Sequence, residues 1–166
     1  MQNQHLYRVM AWWSAAKTGL AKSESAPNVI HFAAPPQFGG LEGRWSPEDL
    51  LLSALAACFT TTFRALAEHS NFSYTDLAVQ VDGTVRKVES GYMFERITIR
   101  PRLTLSHQEE HLQADGLLNR AKQLCLISRA LAIPQAFEPT VEIKRPRVEA
   151  NQAVLPGEDG LANHGE

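Results

Sequence analysis

Ser46-Pro47-Glu48-Asp49-Leu50-Leu51-Leu52-Ser53-Ala54-Leu55-Ala56-Ala57-Cys58-Phe59 reads as the first half of one long helix, and the rest of the chain has to be arranged around it. Ser46 offers an N-cap hydroxyl. Pro47 suits the first helical position, and Glu48 with Asp49 complements the positive end of the helix dipole. The helix is expected to run to about Ser70-Asn71. From Leu50 to Phe59 it is apolar or small on every side, the composition of a helix buried on all faces rather than of a surface amphipath. It also carries Cys58, one of only two cysteines in the chain. The other is in Gln123-Leu124-Cys125-Leu126-Ile127-Ser128.

Upstream, Leu6 to Trp13 and Asn28 to Ala33 carry β-branched and aromatic residues, with Thr18-Gly19 and Ala26-Pro27 as turn signals. The loop from Pro35 to Gly43 holds three glycines and two prolines and propagates neither helix nor central strand. Downstream, Leu77, Val79, Val81 and Val85 alternate with polar neighbours. Ser90-Gly91 marks a turn, and Ile97, Ile99, Leu103 and Leu105 alternate on the return, with Pro101 arguing for an edge or a bulge. Ser106 and Glu109 spell a capping box for a second helix reaching towards Gln123. Cys125 to Ile133 suits a short helix stopped by Pro134, and Phe137, Val141 and Ile143 make a last strand. Residues 1–144 thus read as a single domain and 145–166 as a polar, mobile tail.

The 166 residues, 44% hydrophobic, provide a real core without disulfide staples. A net charge of −2 with both signs interspersed leaves no footprint for nucleic acid, since Lys144-Arg145-Pro146-Arg147 is the only basic cluster. Val9-Met10-Ala11-Trp12-Trp13 is too short for a signal h-region, and no run approaches the roughly 20 apolar residues of a membrane span. The expectation is a soluble, cytoplasmic protein with no membrane partner. A static disulfide is disfavoured there, and a reactive or metal-binding thiol gains weight. His107 and His111 stand at i and i+4, a spacing that binds zinc on one helical face, but no Glu follows the first His and no metal is expected. Trp12 and Trp13 face opposite sides of a strand, one expected in the core and the other at a pocket or an interface.

The order of elements, with Phe38-Gly39-Gly40, Ser46-Pro47-Glu48-Asp49-Leu50, Ala56-Ala57-Cys58-Phe59 and Cys125-x-x-Ser128, resembles the OsmC/Ohr family of thiol-dependent peroxidases over roughly residues 5–144. The resemblance implies an α+β fold: a swapped homodimer of β(3)-α-β(2)-α(2)-β subunits with mixed sheet and a buried central helix. It implies reduction of organic hydroperoxides, a dithiol reductant, and no haem, flavin or metal cofactor. Cys58 then corresponds to the peroxidatic cysteine, Cys125 to the resolving one and Glu48 to the acidic residue of the site.

Peroxide O–O bonds are cleaved by thiolates, and an ordinary thiol of pKa about 8.5 is mostly protonated near neutral pH. Burial alone raises a thiol pKa, so a reactive buried cysteine calls for a cation or hydrogen-bond donors nearby. The family arginine aligns with Lys17, which supplies the charge without the planar fork. Arg44, four residues before Glu48, is the other candidate donor. Leu126 stands where a proline commonly follows the second cysteine. Leu55, Phe59 and Phe72 are the apolar neighbours that would favour bulky organic peroxides. Two other readings are kept: both thiols as small core hydrophobes, and a non-catalytic relative that binds a small apolar ligand or a thiol partner in the same pocket.

Overall fold

The computed structural model describes residues 4–14 and 17–144; the expected tail over 145–166 lies outside the described residues. Three antiparallel strands come first: β1 (Val9–Trp13), β2 (Gly19–Ser23) and β3 (Ile30–Phe32). β2 falls partly in the stretch read as a turn. Its Gly-Leu-Ala-Lys-Ser sequence has little β preference, and ladders to both neighbours hold it. A 3-10 turn, Pro36–Phe38, ends at Gly39, whose φ of 75° is the left-handed conformation that favours glycine.

α1 (Pro47–His69) begins as the sequence predicts. The Asp49 N–H donates to Ser46 Oγ (3.0 Å), and the Ser46 N–H donates back to Asp49 Oδ2 (2.8 Å), closing a capping box. α1 lies against β4 (Asp76–Val88), α2 (His111–Leu124) and α3 (Leu126–Ala130). Leu55, Phe59, Phe63 and Ala67, at four-residue steps, form its buried stripe. They meet Ile97, Ile99, Leu103 and Leu105 of β5 (Gly91–Leu105) and Ala114, Leu118 and Ala121 of α2 in one core.

Burial on all faces of α1 is not what the single chain provides. Ala54, Ala57, Thr61 and Ala65 are exposed, so the apolar composition exceeds what the single chain covers. By length and apolar content α1 also reaches what a membrane span needs, contrary to expectation, but Phe59 and Phe63 in the core mark it as a core helix. Neither tryptophan is core: Trp12 is 41% and Trp13 59% exposed, and every residue of β1 is exposed.

The second sheet places β5 in the centre. It runs antiparallel to β4 and parallel to β6 (Gln135–Phe137) and β7 (Thr140–Ile143). A bulge falls between Thr84 and Val85. Pro101 is therefore neither at an edge nor at the bulge. The Ile97 N–H reaches Pro134 O and Ile99 O receives the Glu138 N–H, so odd-numbered residues of β5 direct their polar groups to the β6/β7 side. At Pro101 the missing N–H faces the break between β6 and β7, where no ladder bond is due. That break at Glu138-Pro139 also splits the expected single last strand in two.

The expected capping box at Ser106 does not form. Ser106 Oγ pairs with Thr75 Oγ1 at 3.1 Å, and a 3-10 turn over Gln108–Glu110 precedes α2. His107 consequently sits in extended backbone before that turn, off the helix that carries His111, and His111 pairs with Asp115. Among the described residues no cluster of three metal-ligating side chains occurs.

Phe63 is fully buried and packs edge-on against Tyr74, centroids 5.4 Å apart. Phe63→Ala is expected to cost about 3–5 kcal/mol, read from urea unfolding at fixed protein concentration. A loss well under 1 kcal/mol would mean that this stripe does not anchor α1.

Candidate functional site

The stripe that buries Phe59 sets the azimuth of its neighbour, Cys58, which is left half-buried at the margin of the core. Facing it is the junction of α2 and α3. There Cys125, fully buried, leaves the helix with φ −59° and ψ 111°, and the chain restarts at Leu126. The Ile127 N–H donates to Cys58 Sγ at 3.4 Å. Both cysteines are free thiols.

Desolvation pushes the Cys125 thiol above its ordinary pKa. The Ser128 N–H opposes that shift, the hydrogen bond and charge repulsion with Cys58 reinforce it, and the Ile127 N–H opposes it again. The two thiols, from distant parts of the chain, thus meet at the Ile127 N–H.

Beside Cys125 stands a polar group that the sequence reading did not single out. Lys122 Nζ donates to Ser128 Oγ (2.6 Å) and to Gln135 Oε1 (2.8 Å). The Ser128 hydroxyl donates to the same Gln135 oxygen (2.6 Å), and Gln135 Nε2 donates to Ser128 O (2.8 Å). Desolvation lowers the Lys122 pKa, and the charge of Cys125 acts the other way. The i, i+3 spacing of Lys122 and Cys125 was visible in the sequence. Gln135 gave no signal, because only the parallel pairing of β6 with β5 brings it there.

The other predicted site residues lie elsewhere in the single chain. Glu48, in the first turn of α1, lines a cleft of about 620 Å³ together with Phe38, Arg44, Val85, Tyr92 and Phe94. Glu48 Oε2 is buried without a hydrogen-bond partner. Ten residues of helix separate Glu48 from Cys58, about 15 Å along the axis at 1.5 Å per residue, and neither cysteine lines the cleft. Arg44 shares the cleft with Glu48. Lys17, at φ 74°, sends Nζ to Gly39 O (3.0 Å) and joins neither the cysteines nor Glu48. Leu55, Phe59 and Phe72 are core residues rather than the walls of an open pocket.

The OsmC-like protein family model matches residues 40–139, a stretch that holds Glu48, both cysteines and the Lys122 network. The chain belongs to the OsmC-like family. The uncharacterized protein YmaD of Bacillus subtilis is 28% identical over 134 residues, covering 79% of this chain and 89% of its own length. Peroxiredoxin OsmC of Escherichia coli is 26% identical over 123 residues, covering 72% and 85%. An OsmC-like protein of unknown function from Vibrio cholerae superposes with a TM-score of 0.73 at 16% identity, covering 82% of this chain and 99% of that one. The α+β architecture is accordingly the OsmC-like fold.

Burial of Cys125 also predicts an alkaline sensitivity. A group whose folded pKa lies above its unfolded value stabilises the fold below the unfolded pKa and loses that contribution as pH rises through the folded one. Melting temperature should therefore fall as pH rises beyond about 8.5, and the fall should be smaller in Cys125→Ala. Parallel melting curves for the two proteins across that range would show that the thiol is not held neutral by the fold.

Proposed function

We propose that this protein is a cysteine-based peroxidase that reduces organic hydroperoxides, with Cys58 as the attacking thiolate and Cys125 as the resolving thiol. The observation that carries the reading is the convergence of the two thiols on the Ile127 N–H, one at the margin of the core and the other sealed beneath it. Membership of a family that includes peroxiredoxin OsmC agrees with it.

The chemistry balances in three steps. The Cys58 thiolate attacks the terminal oxygen of ROOH, the O–O bond breaks, and RO⁻ leaves and takes a proton to become the alcohol, while Cys58 becomes a sulfenic acid. The Cys125 sulfur then displaces the sulfenic hydroxyl. Its proton departs with that hydroxyl as water, and a Cys58–Cys125 disulfide remains. A dithiol reductant finally returns both cysteines to thiols and leaves as a disulfide.

The activating cation and Glu48 belong, in this reading, to a site completed by a second copy of the chain. Three features support a homodimer: the exposed face of β1, the exposed small residues along α1, and a buried Glu48 oxygen with no partner. Antiparallel packing of two α1 helices would bring Glu48 of one subunit towards Cys58 of the other, and a two-fold axis makes two such sites. Exchange of the N-terminal sheets would cover β1. Lys17 and Arg44 are the cations available to such a site. The 1–144 segment acts in this scheme as one domain. The rival reading, a non-catalytic binder of a small apolar ligand or thiol partner, has in its favour that Lys17 is engaged by Gly39 O.

Cys58→Ser is expected to abolish consumption of an organic hydroperoxide. Cys125→Ser should permit one oxidation and then accumulate sulfenic or over-oxidised Cys58 by mass spectrometry. Small, equal effects of the two substitutions would reject the redox reading and leave the binder.

The shared site is tested by subunit exchange between Glu48→Ala and Cys58→Ser proteins. Each heterodimer regains one intact site, so activity should rise above that of either parent. No gain despite confirmed exchange would put Glu48 outside the site or confine the site to one chain.

A further inference from the structure

Lys122, Ser128 and Gln135 form a closed hydrogen-bonded set in which every acceptor is used. The serine hydrogen is committed to Gln135 Oε1, and the glutamine amide donates to Ser128 O and, at 3.4 Å, to Leu131 O. The remaining lone pairs, on Ser128 Oγ and Gln135 Oε1, each accept from Lys122 Nζ. Nζ thus faces two acceptors and no donor, surroundings that suit the ammonium, which donates and accepts nothing. That nitrogen is anchored on Ser128, whose own N–H bonds to the Cys125 sulfur, and Lys122 stands three residues before Cys125 in the last turn of α2. An isolated half-buried ammonium is costly; one held by two oxygens beside a sulfur has a partner whenever that sulfur is ionised.

The accessibilities of the two sulfurs differ. Cys58 is half-buried, whereas Cys125 has no exposed surface. A reductant entering from solvent reaches Cys58 first, and the sulfur that must then leave as a thiolate is the one for which burial is most costly. Lys122 is the charged side chain found beside it.

We propose that Lys122, held by Ser128 and Gln135, is a positioning residue that stabilises the departing Cys125 thiolate and thereby directs the reductant to Cys58. This rests on the Cys58–Cys125 disulfide proposed above. One thiolate of a dithiol attacks Cys58 Sγ, the S–S bond breaks, and its electron pair stays on Cys125 beside the Lys122 ammonium. The second thiolate of the reductant then attacks the reductant's own sulfur in the mixed disulfide and releases the Cys58 thiolate. The reductant leaves as a cyclic disulfide, and its two protons are taken up by the two cysteines.

The test prepares the disulfide in wild type, Lys122→Met, Lys122→Arg and Gln135→Met, once with one equivalent of an organic hydroperoxide and once with diamide. The rate of reduction by dithiothreitol should fall about tenfold or more in Lys122→Met. Lys122→Arg should recover most of it, and Gln135→Met, which keeps the charge and loses one anchor, should lie between. A monothiol trap should label Cys58 in wild type and both cysteines in Lys122→Met, read by peptide mass spectrometry. Melting curves of the variants separate loss of charge from loss of fold.

Wild-type rates in a folded Lys122→Met protein, or a trap on Cys125 in wild type, would overturn the proposal. A disulfide that forms with diamide but not with hydroperoxide, and whose reduction still depends on Lys122, would sink the peroxidase reading and leave this one standing. Failure of both oxidants to form the disulfide would remove both.

Discussion

Leu55, Phe59, Phe63 and Ala67 follow one another at four-residue steps along α1, and burying that stripe against β4, β5 and α2 fixes the rotation of the helix about its own axis. Everything in the candidate site inherits that rotation. Cys58, one residue before Phe59, is held at the margin of the core instead of in its centre or in open solvent. The capping box at Ser46 and Asp49 fixes where the same helix starts, and with it the depth of Glu48. A slip of one residue along α1 would turn the helix by about 100° and carry Cys58 away from the α2/α3 junction.

The thiols show how a buried site handles charge. Dry surroundings disfavour the thiolate of Cys125, so the fold keeps it neutral at rest and surrounds it with groups that favour the ion: the Ser128 and Ile127 N–H bonds and the Lys122 ammonium. The lysine is itself uncomfortable there, and its two oxygen partners offset part of that cost. At the other end of α1, the Glu48 oxygen has been taken out of water with nothing supplied in exchange. An orphaned carboxylate oxygen, an exposed β1 and a helix face of small residues point the same way, to surfaces whose partner is another copy of the chain, as proposed above.

Much of the fold was legible because it is written in local patterns. Pro47 and the acids after Ser46 give the start of α1, alternation gives β4 and β5, and Ser90-Gly91 gives their turn. The errors came where a residue's setting depends on neighbours remote in sequence. Pro101 signals an edge when read along the strand, yet β5 is central because the ladder beyond it breaks opposite the proline. Ser106 spells a helix cap, but Thr75 captures its hydroxyl. β2 has almost no strand propensity and exists through its two ladders.

By itself the sequence determined the long apolar helix and singled out Cys58 and Cys125, because helix caps, periodicity and a rare residue type are properties of short segments; the class of fold and Glu48 as a site residue came through the family resemblance that those segments carry. It could not determine that Cys58 and Cys125 meet while Glu48 and Lys17 stand apart from them, nor that Gln135 and Ser128 hold Lys122 at the second thiol. Those are facts of where α2, α3 and β6 dock. Docking is decided by burial of the whole core, a cooperative quantity to which residues far apart in the chain contribute together.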